Sequence, residues 1–203
     1  AALIVVTNPL DLMVALALQR TGFPRHRVMG MAGVLDSARL QAFLAQRLRV
    51  PVADIQAMVL GSHGDLMVPL KSSVTVRGQL VDAWVSAGEL EQLFQRTRDG
   101  GAEIVALLKQ GSAFYAPASS TVSMVRAILQ NTHEVLPACA WLQGEYGLRD
   151  VCIGVPVQLG ASGIERVVEL PLTQEERTAL AKSAAQVSDG IKGLAALTAG
   201  SPR

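Results

Sequence analysis

An α/β segment followed by an α+β domain is the fold class this chain predicts, on three observations. A near-continuous apolar strand at the start runs directly into a helical pattern, three strand patterns with glycine-rich breaks lie between residues 135 and 170, and long helical periodicities flank them. The 203 residues suit one large domain, or one domain with part of another. The 18 basic and 17 acidic residues give a formal net charge of +1 without a block of either sign, which argues against a nucleic-acid or polybasic membrane surface. Half of the residues are hydrophobic and the mean hydropathy is +0.32, yet no apolar run approaches the roughly 18 residues of a membrane span. The excess predicts buried interface and small-molecule partners. Cys139 and Cys152 have neither metal-ligand spacing nor a disulfide-dense setting, so two free core thiols in a reducing compartment, and no metal site, are expected.

Ala1–Val6 reads as a strand from the middle of a parallel sheet, starting with neither a methionine nor a basic lead-in, and its neighbours are missing from the sequence. Asn8 is then the expected N-cap, with Pro9 at the first helical position, and Leu10, Met13, Val14, Ala17 and Leu18 repeat at helical spacing until Gly22 stops the run. Val28–Met31 is a second short strand. A helix follows from about Leu35 to Leu48, with Leu40, Phe43, Leu44 and Leu48 on its buried face. Val74–Val76 and Gln79–Val81 flank Arg77-Gly78 as a small hairpin, and Ser86 with Glu89 forms a capping box that opens a helix to Lys109. Gly100-Gly101 is expected to kink or interrupt that helix before Gly111 ends it. Pro117 restarts a helix to about Gln130, after which Val135–Leu142, Val151–Val157 and Ile164–Leu170 predict an antiparallel meander. Thr173 and Glu176 make a second capping box, and Leu180, Ala184, Val187, Ile191 and Leu194 give the last helix a narrow apolar seam for the meander or another subunit. The tail Thr198–Arg203 is expected to fray.

Chemistry concentrates in Val59-Leu60-Gly61-Ser62-His63-Gly64-Asp65, an apolar run ending in a histidine between two glycines. Glycines permit a sharp turn that lets the ring leave a strand end and face a cleft, and imidazole exchanges protons near neutrality. Upstream, Asp36 and Arg39 stand three apart on the first turn of a helix. Such a pair is ordinarily a surface ion pair, but beside a histidine the carboxylate stabilises imidazolium and the guanidinium offers a two-pronged clamp for a carboxylate. His26 and His133 are expected in solvated loops without a functional role. A serine hydrolase centred on Ser62 is disfavoured, because Gly61-Ser62-His63-Gly64 is not a G-x-S-x-G elbow.

Val5-Val6-Thr7-Asn8-Pro9-Leu10-Asp11, Gly33-Val34-Leu35-Asp36-Ser37-Ala38-Arg39, Gly61-Ser62-His63-Gly64-Asp65 and Gly111-Ser112-Ala113-Phe114-Tyr115-Ala116-Pro117 follow one another in the order and spacing of the lactate/malate dehydrogenase family. The chain resembles most the lactate-dehydrogenase-like bacterial malate dehydrogenases, through to Glu145-Tyr146-Gly147 and Gly154-Val155-Pro156-Val157. The resemblance implies the tail of a Rossmann-type dinucleotide-binding domain over residues 1–30 and a substrate/catalytic domain over 31–203. It implies an NAD-dependent enzyme of the tricarboxylic acid cycle that interconverts (S)-malate and oxaloacetate, cytoplasmic and homo-oligomeric as a dimer or tetramer. His63 would take the substrate proton, Asp36 would hold the imidazolium, Arg39 would clamp the substrate carboxylate and Asn8 would hydrogen-bond the reacting oxygen. Val6, Thr7 and Asn8 would line the nicotinamide site, with Met31 and Pro117 facing its ring. Asp65 is the rival partner for His63 by proximity, and is assigned to bracing the loop.

The family's glycine-rich nucleotide fingerprint, its ribose-binding acid and its mobile loop with two substrate arginines would lie before Ala1, so roughly the first third is expected to be absent. The choice of malate therefore rests on overall similarity and on Ala113–Pro117, where lactate dehydrogenases commonly carry a threonine at the position of Ala113. A lactate or other 2-hydroxy-acid dehydrogenase, and a catalytically incomplete domain acting in subunit association, stay open beside it. Loss of a covering partner would also leave Ala1–Val6 and the Leu10–Leu18 helix with an exposed edge and apolar patch, and so predicts self-association.

Overall fold

A computed structural model describes residues 1–198; the tail expected to fray falls, past Thr198 itself, outside them. The chain opens with β1 (Leu3–Val5), α1 (Leu10–Thr21), β2 (Val28–Gly30) and α2 (Gly33–Leu48). β1 and β2 run parallel, Leu3 opposite Val28 and Val5 opposite Gly30, so the first helix is the crossover of a β-α-β unit. Asn8 is not the cap of α1. Pro9 occupies that position in an extended conformation, helical geometry starts at Leu10, and no side-chain cap bond forms there among the described residues. Gly22 ends α1 in the left-handed conformation, as its position after the last periodic residue predicts.

Short strands follow: β3 (Ile55–Gln56), β4 (Val59–Gly61), β5 (Met67–Pro69), β6 (Thr75–Val76) and β7 (Gln79–Leu80). The hairpin about Arg77-Gly78 forms as expected, and β3 joins it in a three-stranded sheet. The second half comprises α3 (Ala87–Leu108), α4 (Tyr115–Leu129), β8 (Glu134–Gln143), β9 (Arg149–Gly160), β10 (Gly163–Val167) and α5 (Gln174–Thr198). Both capping boxes are present: Ser86 Oγ accepts the Glu89 N–H, and Thr173 Oγ1 accepts the Glu176 N–H while Glu176 accepts the Thr173 N–H. α3 runs unbroken through Gly100-Gly101, against the expected kink, for a reason that lies on a neighbouring helix and emerges below.

β8, β9 and β10 form the antiparallel meander, and the main sheet has the order β1-β2-β8-β9-β4-β5 with β10 on β9. Within this chain β1 is the terminal strand of that order, with β2 as its one neighbour among the described residues. Cys139 and Cys152 pack with Leu10, Val14 and Ala15 of α1, while Met124 and Ala127 of α4 join Ala138, Ala140 and Ile153. Successive strand residues point to opposite faces, so α1 and α4 cover opposite sides of the sheet. Both cysteines are free and buried. α5 packs along β9 and α1 through Leu180, Ala184 and Val187, so the inner face of the first helix is covered, whereas Val6 at the end of β1 is exposed. His133 differs from the expected solvated loop residue in one respect: its Nδ1 meets Glu165 at 2.7 Å. No helix among the described residues is long and apolar enough to cross a membrane.

Candidate active site

The turn that carries His63 is held from beneath before its ring is held from the side. β4 ends at Gly61, whose φ of +86° favours glycine and where a Cβ would lie 2.9 Å from the Leu66 carbonyl oxygen. β9 crosses β4 at a second glycine, since a Cβ on Gly154 would lie 2.6 Å from the Gly61 oxygen. The chain then turns, and two main-chain N–H groups are captured by buried side chains: Ser62 donates to Ser183 Oγ of α5 at 2.8 Å, and His63 to Asp11 Oδ2 of α1 at 3.1 Å.

The ring points across the turn to α2. His63 Nδ1 lies 2.9 Å from Asp36 Oδ2, and the other oxygen of the same carboxylate accepts from Arg39 at 3.2 Å. One buried carboxylate therefore serves both groups, and the i,i+3 pair is not the surface contact such spacing ordinarily gives: the Asp36 and Arg39 side chains are 2% and 11% exposed. With Nδ1 occupied, Nε2 is left for the cleft. The hydrogen bond that Asp36 accepts holds the His63 pKa above its ordinary 6.5; burial opposes this, the negative charges of Asp36 and Asp11 reinforce it, and the positive charge of Arg39 lowers it. Asp65 is exposed, so Asp36 is the acid that engages the ring.

Arg39 also donates to the Thr97 carbonyl at 3.4 Å, and its stem lies directly on Gly100. A Cβ at that position would sit 2.6 Å from Arg39 Nε, well inside contact distance. Gly100 is thus a passage for the guanidinium stem rather than a helix break, which explains the unbroken α3.

A cleft of about 540 Å³ brings together Asn8, Arg39, His63 and Gly64, with Arg98 and Gly101 of α3 also in its lining. Val6 and Thr7 are exposed immediately beyond the carboxyl end of β1. Met31 is buried in the main core, and Pro117 is half-buried on α4, both outside that lining. Three contributors escaped the sequence reading. Asp11 was visible inside the Asn8-Pro9-Leu10-Asp11 motif, and Arg98 stands three residues before Gly101 on the same helix face, but Ser183 carries no local signal at all.

A turn-borne histidine held by a buried acid, with a guanidinium on the same cleft, is an arrangement chemically able to move a proton beside a carboxylate. The family model for the lactate/malate dehydrogenase, alpha/beta C-terminal domain, matches residues 33–198, and the chain belongs to this family. The malate dehydrogenase of Nostoc punctiforme is 58% identical over 192 residues, which are 95% of this chain and 59% of that protein. Among solved structures, the malate dehydrogenase of Salinibacter ruber is similar with a TM-score of 0.94 at 45% identity, covering 97% of this chain and 64% of that one. The lactate dehydrogenase of Eimeria maxima, solved with NADH and oxamate, has a TM-score of 0.94 at 38% identity, covering 98% and 62%. The chain thus spans about three fifths of the length of the relatives it matches.

Proposed function

We propose that the protein is a malate dehydrogenase catalysing the reversible, NAD-dependent oxidation of (S)-malate to oxaloacetate. The observation that carries this reading is the single Asp36 carboxylate bonded to both His63 and Arg39 at one cleft, in a chain 58% identical to a malate dehydrogenase. In malate oxidation Arg39 holds the carboxylate next to the reacting carbon, and Asn8 donates its amide to the hydroxyl oxygen. His63 Nε2 takes the hydroxyl proton as the adjacent C–H bond gives up its hydride, and Asp36 stabilises the imidazolium that results. Arg98 borders the same cleft and pairs with Glu91 at 3.0 Å, so it would take the second carboxylate of a dicarboxylic acid by exchanging that partner.

The exposed residues beyond the carboxyl ends of the parallel β1–β2 pair suit a nicotinamide nucleotide, because ligands of α/β sheets bind at that end. Val6, Thr7 and Asn8 would hold the nicotinamide there, with Met31 and Pro117 behind its ring, and residues 1–30 would belong to the nucleotide-binding lobe, 31–203 to the substrate lobe. NAD bound at this place supplies the hydride acceptor. A homo-oligomer in the cytoplasm completes the reading.

Lactate dehydrogenase is the second reading, favoured by the equal TM-score of the Eimeria enzyme. Oxidation of NADH with oxaloacetate and pyruvate in parallel separates the two. Preference for oxaloacetate is expected, with Arg98→Gln weakening oxaloacetate and sparing pyruvate. Faster turnover of pyruvate transfers the assignment to lactate, and no turnover of either overturns both in favour of an incomplete catalytic domain.

A further inference from the structure

The first turn of α1 holds an acid that the reaction above leaves unused. Asp11 is 6% exposed, and while its Oδ2 accepts the His63 N–H, its Oδ1 is buried without a hydrogen-bond partner among the described residues. A buried carboxyl with an orphaned oxygen costs free energy. A main-chain N–H needs only a neutral acceptor, which an asparagine would supply without burying a charge. The acid is therefore placed where its charge, besides its oxygen, acts on something.

What it acts on is fixed by its neighbours. Asp11 holds His63 at its main chain and Asp36 holds it at its ring, so two acids on different helices engage the one residue that would become imidazolium. The groups facing the ring from the packed elements are Asp11 of α1, Asp36 and Arg39 of α2, and Arg98 across the cleft on α3; Asp65 belongs to the turn itself. Cys139 of β8 lies against Asp11 from the sheet.

We propose that Asp11 is a positioning residue for proton transfer, fixing the His63 turn through its main chain and placing a second negative charge behind the imidazolium; this rests on His63 being the proton acceptor. Burial raises the Asp11 pKa above its ordinary 3.8, against the neighbouring Cys139 thiol, the hydrogen bond from the His63 N–H and the charge of His63, and the charge of Asp11 in turn raises the pKa of His63. Each charge thus favours the other, while burial of Asp11 works against both.

Two substitutions separate anchor from charge. In Asp11→Asn the amide oxygen keeps the main-chain bond, so the His63 N–H should exchange with solvent within about threefold of wild type, while the His63 ring titrates lower by about half a pH unit. In Asp11→Ala both are lost: exchange at the His63 N–H accelerates by at least about tenfold and the ring midpoint falls similarly. Both are read by NMR on the 203-residue chain, with the Ile153 amide in β9 as the check that the sheet is intact. An unchanged ring midpoint in Asp11→Asn overturns the proposal, as does an unchanged His63 exchange rate in a folded Asp11→Ala. If Asp11→Ala unfolds, the Asn midpoint decides alone. In protein that turns over, the acid limb of kcat/KM for malate oxidation should move with the ring midpoint, which a purely structural role would not produce. The NMR readouts need no turnover, so failure of the dehydrogenase reading shows separately, as inactive protein whose His63 still responds to Asp11.

Discussion

Gly100 shows how much of a binding site can depend on a side chain that is absent. Arg39 reaches the cleft only because α3 presents no Cβ where its stem crosses, and Asp36 and the Thr97 carbonyl then fix the guanidinium. Gly100→Ala should push Arg39 aside at a cost of about 1–3 kcal/mol, typical of overpacking, and raise KM for a carboxylate substrate at least tenfold, while His63 keeps its bond to Asp36. Steady-state kinetics beside a thermal melt checks both halves; an unchanged KM would refute this account of Gly100. The His63–Asp36 pair also predicts a pH dependence. Because the folded-state pKa of His63 is raised, its contribution to stability is fully present below the ordinary 6.5 and is lost as pH rises through the raised value. The difference in melting temperature between the protein and Asp36→Asn should therefore shrink as pH rises through that window. The roles of Asp36 and Arg39 were legible because residues three apart on a helix share a face. That of Gly100 was not, because its partner lies 61 positions earlier on another helix, and a glycine pair read alone signals a break.

The last helix is tied down at its first turn. Glu176 belongs to the capping box with Thr173 and also accepts the N–H and hydroxyl of Ser72, at 2.9 and 2.8 Å, so it joins α5 to the segment after β5. Burial works against its charge, but the hydrogen bonds from Ser72 and Thr173 lower its pKa below the usual 4.5. A depressed carboxylate contributes stability above 4.5 that is lost as pH falls through the folded value. Thr173→Ala should cost about 1 kcal/mol, the ordinary worth of a cap, and Glu176→Ala about 1–2 kcal/mol by removing the cap together with the tie to Ser72. Denaturant unfolding at pH 7 and again near pH 4 would show it: the Glu176 deficit should narrow in acid, and an equal deficit at both pH values would refute it. The box was readable from Thr173 and Glu176, three apart before an apolar seam. Its attachment to Ser72 was not, since 104 residues separate the partners. The same limit hid Ser183 beneath the turn of Ser62.

Across the molecule, the sheet reads as the sequence implied: strands of the meander pair antiparallel, and the opening β-α-β unit continues into them through β2 and β8. Elements with strong periodicity were legible, whereas the order in which β4 joins β9 was not, because it depends on two glycines 93 positions apart meeting at one crossing. The surface carries a larger consequence. Leu107, Tyr115 and Leu129, at the end of α3 and along α4, are 75%, 82% and 79% exposed, and Val122 lies on α4 with them. An apolar grouping of this kind marks an association surface, so the homo-oligomer proposed above should form through it. Sedimentation velocity should show the protein self-associated, and Val122→Asp with Leu129→Asp should shift it toward monomer without lowering the melting temperature. A monomer at every concentration would refute the assignment.

Sharing Asp36 between Arg39 and His63 has a thermodynamic corollary. The charge of Arg39 depresses the proton affinity of His63, so an anion docked on Arg39 removes part of that restraint and returns more of Asp36 to the ring. Linkage makes the effect mutual. For each unit by which the anion raises the His63 midpoint, the anion itself must bind about tenfold more tightly to the protonated than to the neutral imidazole. The keto acid, which needs a proton, would then be held most firmly by the form able to give one, and product discrimination would follow from ambient pH without any moving part.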